Sequence, residues 1–194
     1  MNQPILTRTL RRHERSAYTR HLLQLDAEDR RLRFGLPCDD ARIHEYVAGI
    51  DFERDAVLCV FDDELALVGA AHVARGSGSA EVGVSVLKAH RGRGIGSALM
   101  ERSRLHARNR GDAELYTFCA ADNAAMMRLA RKLDMQTSVA RGEADARAAL
   151  PPPDPASHAA ELISERVGAA DYALKQQLAQ ARKIASAWRP FQAA

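Results

Sequence analysis

The stretch KAHRGRGIGSALMER, Lys88 to Arg102, crowds three glycines and two arginines into the positions Arg91–Gly96, then enters an amphipathic segment. Glycine loses more backbone freedom on ordering than any other residue, so a cluster of it needs a physical reason. Two reasons compete: a bare turn, or a backbone that must come close to something anionic. Ile95 to Arg110 reads as a helix with Ile95, Ala98, Leu99 and Leu105 on one side and a stop at Gly111. Side-chain-free positions at a helix start let successive N–H groups converge on phosphate oxygens. The positive helix end and the arginine charges add to that attraction. A P-loop would need GK[ST], and no lysine follows these glycines. A dinucleotide fingerprint would need GxGxxG, whereas Gly92, Gly94 and Gly96 give GxGxG with Ser97 in the last place.

Outward from the glycines the texture is that of a sheet. AVLCVF (56–61), an acidic turn and LALVGAAHVA (65–74) read as a hairpin. AEVGVSVL (80–87) is a third strand, with Val82, Val84 and Val86 on one face and Glu81, Gly83 and Ser85 on the other. Residues 4–12 alternate as a first strand, and Ser16 to Asp26 is helical, ending before the charged DAEDRRLRFG. Asp39 to Gly49 gives a second helix, with Ile43, Tyr46 and Val47 at helical spacing. Downstream, AELYTFCA is a strand. A helix capped by Asp122 or Asn123 then carries Met126, Leu129, Ala130 and Leu133 at i, i+3, i+4 and i+7. TSVARG and EADARAAL form a closing hairpin.

The proline-rich PPPDPAS continues neither strand nor helix, so residues 1–150 are expected as one domain and 151–194 as a linker with a helical extension. In the extension Ile163, Val167, Ala170, Leu174, Leu178, Ala181, Ala185 and Trp188 step by threes and fours. Such a helix is expected to fold back at Gly168, to dock along the domain, or to pack on another copy as a homodimer.

Composition narrows the function. A chain of 194 residues with 46% apolar and 27% charged residues is an ordinary globular protein. The N-terminal MNQPILTRTLRRHER lacks the apolar core of a signal peptide, and no apolar run is long enough to span a bilayer. Cys38, Cys59 and Cys119 form no CxxC pair, which argues against a disulfide framework or a zinc site. A reducing cytoplasm is the expected setting. The net charge of +3, with no aromatics interleaved among the arginines, argues against nucleic acid as a partner.

Arg91, Gly94 and Gly96, an RxxGxG between strand and helix, resemble the GNAT superfamily of N-acetyltransferases, whose acyl-CoA pyrophosphate loop reads Q/R-x-x-G-x-G/A. The resemblance runs from about Pro4 to Leu150. NAAMMRLARKLDM resembles the superfamily segment N-x-x-A-x-x-L-Y-x-K-x-G-F: Asn123 matches the asparagine that contacts the CoA arm, and Leu129 and Lys132 also fit. Ala130 departs from it, standing where many members carry a tyrosine that protonates the leaving thiolate. Asp134 and Met135 replace Gly-Phe. AEVGVSV and RLRFG further resemble the acetyltransferase domain of bacterial Pat-type protein-lysine acetyltransferases.

The resemblance implies an α/β fold of the α+β type: a mixed, mostly antiparallel, twisted sheet flanked by helices. The strands AEVGVSV and ELYTFC are expected to splay and admit the acyl-pantetheine arm of acetyl-CoA, the cosubstrate. The arm would bond to the backbone around Val84, Ser85 and Val86, with a bulge aiming an N–H at the thioester oxygen. The pyrophosphate would lie on Arg91, Gly92, Arg93, Gly94, Ile95 and Gly96, with no metal required. The implied reaction moves an acetyl group to a primary amine of a protein lysine or a small molecule. The alternative is a catalytically silent acyl-CoA-binding module acting through a partner surface.

A primary amine of pKa about 10.4 is neutral in roughly one molecule in two thousand at pH 7, so a positioned base is expected. Glu81, ten residues before Arg91, matches the glutamate that serves lysine-acetylating members as general base, commonly through water. Its competing reading is a solvated strand-end carboxylate. His72 and Tyr116 are expected to pack, His90 to face solvent or phosphate, and Cys119 to be a small buried residue.

Overall fold

AVLCVF shows no polar alternation because the strand it forms is covered on both faces. In the computed structural model, which describes residues 4–188, that strand, β2 (Ala56–Phe61), is buried along its whole length. Ala56, Leu58 and Val60 join an apolar cluster with Ile95, Leu99 and Met100, while Val57, Cys59 and Phe61 join another with Tyr18, Leu22 and Ile43. The other strands are β1 (Arg8–Thr9), β3 (Leu67–Arg75), β4 (Ser79–Val86), β5 (Glu114–Ala120), β6 (Gln136–Ala140) and β7 (Glu143–Ala149). They form one seven-stranded sheet in the order β1-β2-β3-β4-β5-β7-β6.

Helices α1 (Arg15–Leu23) and α3 (Asp40–Ala48) supply the second cluster on one face; α4 (Ile95–Asn109) and α5 (Ala124–Lys132) supply the first on the other. Every neighbouring pair of strands is antiparallel except β4 and β5. Their parallel ladder covers only Ser79–Glu81 against Glu114–Tyr116, after which the strands part. The mixed, mostly antiparallel sheet expected from the sequence is present, together with the fork in it.

Several local expectations are corrected. Of residues 4–12 only Arg8 and Thr9 join the sheet, because a 3-10 turn at Arg12–Glu14, tied by the Arg8–Glu14 ion pair, turns the chain away. DAEDRRLRFG is not a break but a helix, α2 (Ala27–Phe34). The Asp26 side chain accepts from the Asp29 N–H at its start, and Gly35, at φ 76°, ends it. Apolar periodicity missed α2 because the residue it buries is Asp29. The expected bulge in β4 is absent: its register with β3 runs unbroken from Gly69↔Val86 to Arg75↔Ala80. The sheet's irregularity lies instead in β2, at Val60/Phe61.

The chain after PPPDP forms one continuous helix, α6 (Pro155–Trp188). Asp154 and Ser157 cap it reciprocally, at 2.6 and 3.0 Å. It does not fold back at Gly168; that glycine is where the helix presses on β1. A Cβ there would overlap the Thr7 carbonyl. Gly168→Ala should therefore push α6 off the sheet edge and cost about 1–3 kcal/mol, the usual range for overpacking. Thermal unfolding checks this, and an unchanged melting temperature would count against the contact.

The docking face of α6 is polar. Glu161 accepts from Arg102 Nη1 at 2.8 Å, Asn109 Nδ2 at 2.7 Å and His106 Nδ1 at 2.8 Å. Glu165 accepts from Arg102 Nη2 at 3.2 Å and from the Thr9 N–H and hydroxyl. Farther along, the Arg8 guanidinium sits 3.9 Å from the Tyr172 ring centroid, and Lys175 donates to the Phe61 carbonyl at 3.2 Å. Glu161, Glu165, Gly168 and Tyr172 each fall two residues before a member of the apolar stripe, about 200° around a helix of 3.6 residues per turn. The stripe therefore faces away from the body, and Ile163, Val167, Leu174 and Leu178 are exposed.

Burial alone would raise the Glu161 pKa, but the hydrogen bonds from His106, Arg102 and Asn109 outweigh it and hold the carboxyl at about 2. A depressed pKa stabilises the fold above the ordinary value of 4.5 and loses that effect as pH falls towards 2. The stability difference between the native protein and Glu161→Gln should be about 1–2 kcal/mol at pH 6, allowing for screening at this partly open site. It should decline below about pH 4.5. Denaturant titrations giving a pH-independent difference would refute the role of that carboxylate.

Candidate active site

The glycine cluster lies where β4 hands over to α4. Gly92 and Gly94 have φ of 74° and 88°, a left-handed conformation that favours glycine, and Gly94 is the N-cap of α4. At neither residue would a Cβ meet any atom within 4 Å, so the backbone there faces open space. The first N–H groups of α4 have no partner within the helix and point the same way. A cavity of about 490 Å³ opens over them, walled by Val84, Val86, Gly92, Gly94, Gly96 and Leu129, among others.

Arg91 is pinned at its mouth. Its Nη2 lies 2.7 Å from the buried Asp29 carboxylate, and its Nε donates to the Val86 carbonyl at 3.0 Å. Beside it Lys88 pairs with Asp26. Across the cavity Lys132 reaches the Ser97 hydroxyl at 3.1 Å and adds a second cation.

The wall at β4 has a free backbone edge. The Leu87 N–H, just past β4, bonds to the Val68 carbonyl of β3 at 3.0 Å, so residues at alternate positions, Gly83 and Ser85, also turn their peptide groups towards β3. Val84 and Val86 turn theirs towards the gap that β5 has left. Ser85 is fixed from behind: its hydroxyl meets His21 Nε2 at 2.8 Å, and His21 Nδ1 meets the Leu67 carbonyl at 2.9 Å. Because a carbonyl only accepts, Nδ1 carries the proton and Nε2 accepts from Ser85. Burial lowers the His21 pKa to about 4, so the imidazole is neutral and serves as a strut.

A second cavity, of about 700 Å³, lies on the other side of the fork. Glu81, the last β4 residue paired with β5, stands exposed on its wall with Gly83, His72 and Tyr46. The Tyr46 hydroxyl meets His72 Nδ1 at 2.6 Å and accepts from Arg33 Nη2 at 2.9 Å. His72 Nε2 is 3.5 Å from the buried Asp55 carboxylate, too long for a good hydrogen bond. Burial first, then the Arg33 charge, lowers the His72 pKa to about 4, so it too is neutral near pH 7. Burial pushes the Cys119 thiol up, which leaves it unactivated.

Comparison with known families identifies the family of the chain. The profile described as Acetyltransferase (GNAT) family matches residues 16–135, from α1 through α5. The chain belongs to the GNAT family. It is accordingly an acetyltransferase that uses acetyl-CoA.

Solved structures share the GNAT fold at low identity. The GNAT domain of Pat from S. lividans superposes with a TM-score of 0.64 at 21% identity, over 74% of this chain and 89% of that one. A ribosomal-protein-alanine N-acetyltransferase from Brucella melitensis gives 0.56 at 21%, over 75% and 100%. A GNAT superfamily phosphinothricin acetyltransferase from Sinorhizobium meliloti, in complex with acetyl-CoA, gives 0.58 at 16%, over 80% and 95%. No curated protein matches the sequence significantly.

Within this GNAT chain the residues singled out in the sequence divide into three groups. Val84, Ser85, Val86, Arg91, Gly92, Gly94, Ile95, Gly96 and Asn123 all line the first cavity, and Glu81 lines the second. Arg93 is exposed and lines neither. Asn123 is buried, and its side chain is committed: its oxygen accepts from the Met126 N–H at 3.0 Å, and its amide donates to the Leu32 carbonyl at 3.3 Å.

Ala130 is fully buried in the main core, and no tyrosine lines the first cavity. Asp134, in the place of the superfamily glycine, adopts φ 53°, a conformation Asp tolerates better than most residues. Arg33 and the Tyr46–His72 pair escaped sequence reading as site residues. The only signal was RLRFG, quoted for its resemblance and not for chemistry. Among the described residues no group of three or more His, Cys, Asp or Glu side chains is placed to hold a metal, and no helix is long and apolar enough to cross a membrane.

Proposed function

We propose that this enzyme transfers the acetyl group of acetyl-CoA to a primary amine, on a protein lysine or a small molecule, with Glu81 as general base. The observation that carries the reading is the place of Glu81, at the point where β4 and β5 part and on the wall of the cavity opposite the glycine loop.

In this reading the pyrophosphate lies on the N–H groups of the Arg91–Gly96 loop. Arg91 holds it, Gly92, Gly94, Ile95 and Gly96 give close backbone approach, and Arg93 adds only long-range charge. The pantetheine arm follows the free edge of Val84 and Val86, with Ser85 keeping β4 in place. Asn123 shapes the wall by capping α5. The amine enters from the second cavity and its nitrogen attacks the thioester carbon. Its proton passes to Glu81, directly or through a water, as the C–N bond forms and the C–S bond breaks.

The named relatives differ in acceptor, so they leave the acceptor class to experiment. The test is release of CoA thiol from acetyl-CoA with lysine peptides, polyamines, aminoglycosides and amino acids. Thiol release with one class supports the reading. Acetyl-CoA binding without release to any class would favour the silent module, for which the lack of a tyrosine at Ala130 speaks.

We also propose residues 1–150 as the catalytic domain and 151–194 as an extension whose outward stripe packs on a second copy. Six large apolar residues of α6, from Leu162 to Ile184, are exposed at 44–63%, more than a soluble helix ordinarily leaves in water. Light scattering should give a dimer mass that falls to a monomer's when Ile163 and Leu174 become Glu. A monomer at all concentrations would overturn the dimer.

A further inference from the structure

Arg33 is the one residue that lines both cavities. It stands where an acyl group passes from the donor side to the acceptor side. Its guanidinium rests on Gly83, where a Cβ would overlap the guanidinium carbon and both terminal nitrogens. Gly83 lies two residues beyond Glu81 on the same face of β4, just past the last β4–β5 pair.

The charge of Arg33 meets the rings of Phe34 and Tyr46, at 5.0 and 5.6 Å from their centroids, and no carboxylate. It forms no ion pair among the described residues. Its Nη2 donates to the Tyr46 hydroxyl at 2.9 Å, with the Tyr18 hydroxyl at 3.5 Å, and its Nε is shielded from water without a partner. The other titratable groups around it are His72, behind Tyr46, His21 and Cys38, which its charge reaches, and the carboxylates Asp29, Glu81 and Glu143 on the walls of the two cavities. Shielded guanidinium groups are ordinarily paired, because desolvating the charge is costly. One left unpaired beside the fork is suited to a negative charge that exists only during the reaction. No tyrosine lines the first cavity to protonate that charge and Ala130 is sealed in the core, while the other basic residues of that cavity, His90, Arg91, Arg128 and Lys132, do not reach the second one.

We propose that Arg33 is a catalytic residue that receives the negative charge of the departing CoA thiolate, doing by charge what the missing tyrosine would do by proton transfer. The proposal rests on the reading of the first cavity as the acetyl-CoA site. The neutral amine attacks the thioester carbon and gives one proton to Glu81. The C–S electron pair leaves on sulfur as thiolate beside the guanidinium, which stays protonated throughout. The thiolate takes its proton from solvent or from Glu81 after the amide has formed. Gly83 is what lets the guanidinium reach the fork.

CoA itself is the probe, so the test needs no acceptor. Thiolate absorbance of bound CoA should show its thiol titrating about 1–3 units below the free value, as an opposite charge within a few ångströms produces. Unaltered protein should also prefer CoA to desulfo-CoA increasingly as pH rises, by about tenfold or more once the bound thiol has ionised. Arg33→Met should abolish both effects while leaving desulfo-CoA affinity unchanged, and should lower kcat about 10²–10³-fold. The desulfo-CoA comparison stands even if that variant fails to fold. CoA that binds and titrates as in free solution, with desulfo-CoA binding equally at every pH, overturns the proposal. So does an Arg33→Met variant that raises only the acceptor KM, which would make Arg33 an anchor for an anionic acceptor. Absence of any CoA binding would instead bring down the reading of the cavity itself.

Discussion

Replacing Gly94 with valine is expected to remove acetyl-CoA binding from a protein that otherwise folds. Gly94 holds φ at 88°, and a β-branched residue there is strained by about 1–3 kcal/mol. A Cβ at this position meets nothing in the protein within 4 Å, so the added side chain projects into the space the phosphates require. Loss of binding would come from both effects, and titration calorimetry measures it directly. Gly49→Ala is the control, since Gly49 lines neither cavity and its Cβ would meet only the Glu45 and Tyr46 carbonyls at an ordinary 3.5 and 3.6 Å. The native protein is expected to bind in the micromolar range. Unchanged binding in Gly94→Val would show that the pyrophosphate lies elsewhere.

Glu81→Gln is expected to keep acetyl-CoA binding and lose about 10²–10⁴ of turnover, the usual contribution of a positioned base. Glu81 is exposed, so the swap should change stability by less than about 0.5 kcal/mol. The deficit should shrink as pH rises towards the amine's own pKa, because a neutral amine needs no base. His72 is buried and its Nδ1 is engaged by the Tyr46 hydroxyl at 2.6 Å, so it should not stand in for the missing carboxylate. Full activity of Glu81→Gln at pH 7 would remove this residue from the mechanism. Joint loss of activity and acetyl-CoA binding would make it a structural carboxylate holding β4.

The two substitutions probe residues read from very different depths of the sequence. Gly94 is singled out by local chemistry: glycines, arginine and helix start follow one another, and nothing distant is needed to propose an anion site. Glu81 is proposed only through the family resemblance, since a strand-end carboxylate looks the same in sequence whether solvated or catalytic. Arg33 was not legible, because its role depends on contact with Gly83, fifty positions away in the sequence and on another element. α2 itself, which carries Arg33, hid behind a charged composition, although its cap at Asp26 and its stop at Gly35 were both in plain view.

The sequence by itself determined which segments pair and which helices flank them, because burial on both faces of a strand or one face of a helix imposes a composition. It determined the glycine loop at the start of α4, because the left-handed conformations at Gly92 and Gly94 favour glycine at fixed places. Tertiary structure alone decided where β4 and β5 part, since both strands remain competent to pair beyond Glu81 and only their packing on opposite sides of the fork separates them. It also decided which face of α6 docks. Apolar periodicity pointed to the stripe through Ile163 and Leu174, yet the face that meets the body carries Glu161, Glu165 and Gly168. The reason is that α4 and β1 present Arg102, His106 and a carbonyl at Thr7 to the helix. Those groups need carboxylates and a residue without a side chain, a demand set by the partner surface and absent from the helix's own sequence.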